Sequence, residues 1–201
     1  MRSVLRLWSA GPLALLVLAA CGTVTRSAHR EANADLAVTD FCSRFGRQSA
    51  SAVADLFVDS ARFDIDGIGV SFVGRKEIAR LADYGSAVHS RLSATGLQVS
   101  RETVSCRLEE KNHWLGLLAV EHASYNGWFV VSGPRIASAR LRLAPESNEE
   151  LGIKLAGFLA WLSAEDPETL QRLLPGGRPV YDSRAVPELL SRLRQWRLRV
   201  R

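Results

Sequence analysis

Ala61-Arg62-Phe63-Asp64-Ile65-Asp66-Gly67, then Val70-Ser71-Phe72-Val73-Gly74, then Arg75-Lys76-Glu77-Ile78, is the stretch that decides the fold. Ala61, Phe63 and Ile65 alternate with Arg62, Asp64 and Asp66. That period of two is a strand with one apolar face. Asp66-Gly67 supplies a turn and residues 70–73 a hairpin partner. Gly74 ends the hairpin and a helix runs to about Val88, with Ile78, Leu81, Ala82 and Gly85 on its apolar face. Upstream, from Asp35, Val38, Phe41, Cys42 and Phe45 fall at i, i+3, i+4 and i+7, and a second short helix carries Val53, Leu56 and Phe57. Downstream the reading is strand-like. Residues 97–108 alternate imperfectly, residues 109–112 form a polar turn, and residues 114–123 are a long apolar strand region. Asn126-Gly127 marks a bend before residues 128–131. Ser132-Gly133-Pro134 is a tight turn before an alternating strand over residues 136–143. The order predicts an α+β domain: a cone-shaped curved antiparallel sheet packed by three N-terminal helices.

The C-terminal third is helical. Ser147-Asn148-Glu149-Glu150 reads as a capping box opening a helix that carries Leu151, Leu155, Phe158, Leu159 and Leu162. Asp166-Pro167-Glu168 starts a short helix, and Pro175-Gly176-Gly177 stops it. A last helix from about Val186 aligns Leu189, Leu193, Trp196 and Val200. This appendage, residues 148–201, is expected to pack on the domain, over the outer sheet face.

The chain has 201 residues, 47% hydrophobic and 23% charged, with net charge +5. That is ordinary globular composition. Removing residues 1–20 takes away Arg2 and Arg6 and leaves +3, too weak a field for a nucleic-acid binder. Residues 1–20 have the form of an export signal. Arg2 and Arg6 precede a short apolar run, and the 11 residues from Ala10 to Ala20 are too few to span a bilayer. Leu18-Ala19-Ala20-Cys21-Gly22 resembles a bacterial lipobox. The resemblance implies cleavage before Cys21 and lipidation of its thiol. It implies a membrane-tethered protein of the cell envelope, on the periplasmic side of the outer membrane in a two-membrane host, since Gly22 stands where a retention Asp would. Residues 21–34 are small and polar, a tether.

Residues 35–147 carry a second resemblance. Ala54-Asp55-Leu56-Phe57-Val58-Asp59-Ser60-Ala61-Arg62-Phe63, Phe72-Val73-Gly74 with Ile78, Trp128-Phe129-Val130-Val131-Ser132-Gly133 with Arg135-Ile136, and Ala144-Pro145-Glu146-Ser147 resemble the SnoaL-like group of the nuclear-transport-factor-two-like superfamily. The turn Ser-Gly-Pro-Arg-Ile is longer than the family's usual Asp-Gly-Lys-Ile. The resemblance implies a cone closed by helices around a pocket for an apolar small molecule. Members include isomerases, cyclases and dehydratases as well as proteins that only bind or bridge partners, and many form homodimers through the outer sheet face. The isomerase branch carries its general-base Asp where this chain has Ile65. The implied pocket is lined by Phe41, Phe45, Phe63, Ile65, Leu81, Trp114 and Trp128.

Candidate acid–base groups are Tyr84, Glu121 and His122, with His89, His113 and Tyr125 as further residues of suitable type. Glu121 is the marked one: inward in its apolar run it is a carboxylate of raised pKa, outward an exposed strand residue. His29, His89, His113 and His122 are scattered and no Cys-x-x-Cys occurs, so no metal site is expected, and no phosphate-binding loop or other cofactor motif appears. Cys42 and Cys106 form either a disulfide or two separate buried thiols. The functional expectation is non-catalytic: the cone binds an apolar small molecule or bridges an envelope protein partner. The alternative is a cofactor-free isomerase, cyclase or dehydratase acting on a hydrophobic substrate.

Overall fold

The computed structural model describes residues 32–67, 69–177 and 179–200. The leader, Cys21, His29 and residues 21–31 of the tether lie outside the described residues. Helix α1 occupies residues 32–44, so helix already covers the tether's last three positions, and Ala34 is buried. α2 (Ala50–Ala54) follows, capped by Ser49, whose hydroxyl accepts from the Ala52 amide. Phe57 belongs not to that helix but to β1 (Phe57–Asp66). β2 (Val70–Val73) returns against β1, pairing Phe63 with Phe72, and α3 (Arg75–Ala87) buries Ile78, Leu81, Ala82 and Gly85.

The middle of the chain departs from the sequence reading. Strands β3 (Arg91–Ser100) and β4 (Thr103–Lys111) form a long hairpin. Residues 109–111, read as a turn, are paired strand. The actual turn is at Arg101, which takes a left-handed φ of 58°. The apolar run after residue 112 begins as a helix, α4 (His113–Leu117), because Asn112 caps it by accepting from the Leu115 amide at 2.9 Å. β5 (Ala123–Ser132) runs straight through Asn126-Gly127, and β6 (Arg135–Leu143) closes the sheet. The strand order is β2-β1-β6-β5-β4-β3; among the described residues β1 and β6 pair in parallel and the other neighbours antiparallel. Register irregularities in β1/β6, β3/β4 and β5/β6 bend the sheet, as bulges do.

α1 crosses the concave face with Phe41 at its centre. The Phe41 ring lies 5.5–5.9 Å from Phe45, Phe57, Phe63 and Phe129, distances at which offset aromatic pairs attract. α3 comes close enough that a Cβ on Gly85 would sit 2.6 Å from the Phe45 ring, so the contact requires glycine.

The C-terminal elements cover the concave, open side of the sheet. α5 (Pro145–Glu165) starts at Ala144 with Pro145 in its first turn. Ser147 therefore lies inside the helix, and its hydroxyl accepts from the Ser124 amide instead of capping. α6 (Pro167–Leu173) is capped by Asp166, and α7 (Val186–Arg199) buries Val186, Leu190, Leu193 and Trp196; Leu189 is half-buried and Val200 exposed. A second apolar cluster forms here, in which Leu151, Phe158, Leu162, Leu173 and Leu193 meet Leu115 and Leu118 of the α4 region. Thr169, fully buried, bonds Asp166 (2.8 Å) and Glu188 (3.2 Å), and Arg172 joins Glu188 at 2.7 Å, locking α6 to α7. The convex sheet face stays open, with Trp128 and Val130 exposed. Among the described residues no helix is long and apolar enough to cross a membrane.

Candidate functional site

Between the concave sheet and the C-terminal helices lies a cavity of about 380 Å³. That is the size of a small-molecule site. Its wall is mostly apolar, and about half of it comes from residues after 144, including Leu151, Phe158, Leu173, Tyr181 and Leu193. The site is thus shared between the cone and the appendage, which the sequence reading treated as mere packing.

Phe45, Phe63, Ile65, Leu81 and Trp114 line this cavity. Phe41 does not, because four aromatic neighbours bury it completely in the layer beneath. Trp128 is 39% exposed on the convex face, one strand position from the inward Phe129, so alternation carries it away from the pocket.

Of the acid–base candidates, Tyr84 and Tyr125 line the cavity. The helix α4 and the left-handed turn at Ala119 (φ 59°) put Glu121 and His122 in a connection, not a strand. Glu121 is exposed there, paired with Lys111 at 3.3 Å. His89 and His113 stack outside the cavity with ring centroids 4.3 Å apart. Burial, then the neighbouring His89, Arg194 and Arg91, hold the His113 pKa below its usual value. Asp64 pairs with Arg62 at 2.8 Å, which holds its carboxyl low. Ile65 lines the cavity.

The residue that sequence reasoning missed is Glu110. It lines the cavity and accepts three hydrogen bonds: from Ser90 Oγ at 2.5 Å and Asn112 Nδ2 at 3.0 Å to Oε1, and from the Tyr125 hydroxyl at 3.0 Å to Oε2. Tyr125, Tyr84 and Tyr181 surround this carboxylate from β5, α3 and the α6–α7 connection. Burial first, and Glu110's charge with it, push the Tyr84 and Tyr125 hydroxyls well up. For Tyr181 the order is burial, then Tyr84, then Glu110. All three stay protonated near neutral pH and act as donors. Asp66, at the rim, faces Arg142 (3.5 Å) and Arg140 (3.9 Å). Cys42 and Cys106 are separate buried thiols, not a disulfide. Burial pushes them up to about 12, with Cys106 adding to the effect on Cys42, and to about 11 respectively. Among the described residues no cluster of three metal-ligating side chains occurs.

No known family's sequence pattern matches the chain, and no curated protein matches it. Solved structures do. An epoxide hydrolase/cyclase-like enzyme, SalBIII of pyran-ring formation in the polyether salinomycin, is similar at 13% identity with a TM-score of 0.50, over 58% of this chain and 95% of its own. A protein with a ketosteroid isomerase-like fold from Catenulispora acidiphila, in complex with trimethylamine, is 15% identical over 55% and 87%, TM-score 0.48. An NTF2-like protein with a cystatin-like fold from Novosphingobium aromaticivorans is 16% identical over 70% and 99%, TM-score 0.45. The fold is the α+β cone of nuclear-transport-factor-two-like proteins. About two fifths of this chain falls outside the SalBIII match.

Proposed function

We propose that this chain binds an apolar small molecule in the cone without transforming it, as a lipid-anchored envelope protein tethered through Cys21. The observation that carries the binding reading is the apolar cavity walled jointly by the sheet and the C-terminal helices. The non-catalytic reading rests on its polar groups. The phenols are locked as acids, Glu110 is held by three donors, and Asp66 faces two arginines. Among the described residues each lining carboxylate, Glu110 and Asp66, is already engaged by donors or cations, and an enzyme needs a free group within reach of the substrate. The tether reading rests on the sequence pattern of residues 1–22. Two or more acyl chains make such attachment stable where one does not.

A Cys21→Ser variant of the full chain, produced in a lipid-rich host, is to be analysed by native mass spectrometry and organic extraction. A stoichiometric adduct of moderate mass is expected. A clean apo mass, together with failure to take up an apolar fluorescent probe, overturns the binding reading. Incorporation of labelled palmitate into the native chain and its loss in Cys21→Ser tests the tether separately.

A further inference from the structure

The polar end of the cavity is unbalanced in its hydrogen bonding. Glu110 accepts the hydrogen bond of the Tyr125 hydroxyl along with those of Ser90 and Asn112. Tyr84 and Tyr181 are placed differently. Their rings meet edge to face with centroids 5.0 Å apart, both line the cavity, and among the described residues neither hydroxyl has a hydrogen-bond partner. Among the described residues the one buried side-chain polar atom without a partner is Trp161 Nε1, so both phenol hydroxyls are open to the cavity. Each offers its proton to whatever occupies the cavity, and the cavity's charge selects the kind of acceptor. Among the described residues no lysine, arginine or histidine lines the wall, whereas Glu110 does. An anionic head would sit uncompensated beside that carboxylate.

We infer that Tyr84 and Tyr181 form a donor pair that reads a neutral carbonyl oxygen (ketone, aldehyde or ester) on an otherwise apolar ligand. The inference rests on the binding reading above and adds the ligand's chemical class. Bulk bounds the ligand as well. At the roughly 30 Å³ that a water molecule occupies in the liquid, the cavity's volume corresponds to about a dozen heavy atoms. The pair is assembled from two distant parts of the chain. Tyr84 stands on α3 and Tyr181 on the connection before α7, where Ser183 donates a hydrogen bond to Asp83 of α3. The carbonyl reader is complete only with the C-terminal segment docked.

The test uses the Cys21→Ser full chain with four probes of similar length: 2-undecanone, dodecane, undecanoate and undecylammonium, measured by calorimetry and native mass spectrometry. 2-Undecanone is expected to bind at least about fivefold more tightly than dodecane, the equivalent of one net hydrogen bond. Tyr84→Phe and Tyr181→Phe keep the ring packing. Each is expected to lower ketone affinity about fivefold and leave dodecane affinity unchanged, a change in ratio that a merely structural role would not produce. Equal binding of ketone and alkane overturns the inference and leaves the cavity reading standing. Preference for undecanoate or undecylammonium overturns it in favour of a charged ligand. Binding of no probe by the folded protein removes the cavity reading and the inference together.

Discussion

Glu110→Ala measures how much of the fold depends on one buried acceptor. The substitution removes the partner of the Ser90 hydroxyl, which is fully buried, and of the Tyr125 hydroxyl, which lies in the cavity wall. Each orphaned buried donor costs about 1–3 kcal/mol, or about 2–6 kcal/mol for the two. Asn112 is half-buried and turns its amide to water more cheaply. Relief from holding a carboxylate in a largely apolar wall recovers part of the loss, so a net destabilisation of about 2–4 kcal/mol is expected. Glu110→Gln keeps an acceptor for Ser90 and Asn112 and lets the Tyr125 oxygen accept from the new amide, so its cost is about 1 kcal/mol. Urea unfolding followed by tryptophan fluorescence reads both. With a slope near ~2 kcal/mol/M, the Ala midpoint falls by about 1–2 M and the Gln midpoint by about 0.5 M. An Ala variant within about 0.5 kcal/mol of the parent refutes the premise that Glu110 satisfies buried donors. A Gln variant as weak as Ala shows that the charge, not the acceptor geometry, is what matters.

Four further outcomes are expected. Gly46 has φ 68° and a Cβ there would meet the Ser90 carbonyl oxygen at 2.2 Å. Gly46→Ala should therefore cost more than the roughly 1–2 kcal/mol of the left-handed backbone alone, seen as a lowered Tm. In the Cys21→Ser chain, Cys42 and Cys106 should resist a thiol reagent at pH 8 while folded, and both should react once it is unfolded without reductant; zero thiols would mean a disulfide. The Asp166 carboxyl is held below its usual range by the Thr169 amide and hydroxyl, so its contribution is present above about pH 4 and is lost as pH falls through the lowered folded value. Limited proteolysis should then cut near α6 faster at pH 3 than at pH 5, and equal rates would refute that role. Trp128→Ala should leave 2-undecanone affinity unchanged, since Trp128 stands on the convex face; a loss would place it back in the pocket.

The β1–β2–α3 unit was legible because its signals are local: period-two alternation, glycine punctuation, then a helical stripe. α4 was not, because residues 114–120 are apolar on every side. Leu115 and Leu118 join the C-terminal cluster, while Trp114 and Leu117 also touch the Val88–Val186 cluster. Periodicity cannot distinguish such a segment from a buried strand, and the cap at Asn112 was the available signal. At α5, Pro145 in the first turn marked the start better than the Ser147 box. Glu110 hid in Glu-Glu-Lys-Asn, which resembles a solvated turn. Yet Val104, Cys106 and Leu108 are the buried face of β4, and two more residues along the same face reach Glu110. Tyr181 carried no such clue, since it follows a Pro- and Gly-rich stretch and its partners stand about a hundred positions away.

That distance bears on how the site works. The cone alone presents Glu110, Tyr125 and Tyr84 at the open side of a sheet, where water would reach them. The C-terminal helices exclude that water and at the same step deliver Tyr181. Closure and recognition are therefore one event. Tyr125 packs against both the cone core and the C-terminal cluster, so the carboxylate's phenol donor sits on the seam the helices must seal. A ligand that satisfies Tyr84 and Tyr181 binds only the docked arrangement, and it must stabilise the appendage against the cone by its own binding free energy. Proteolytic protection of the α6–α7 connection should rise with 2-undecanone concentration in step with occupancy. It should not rise when Tyr181→Phe is titrated over the same range. Protection that is independent of ligand would separate closure from recognition and leave the appendage a fixed wall.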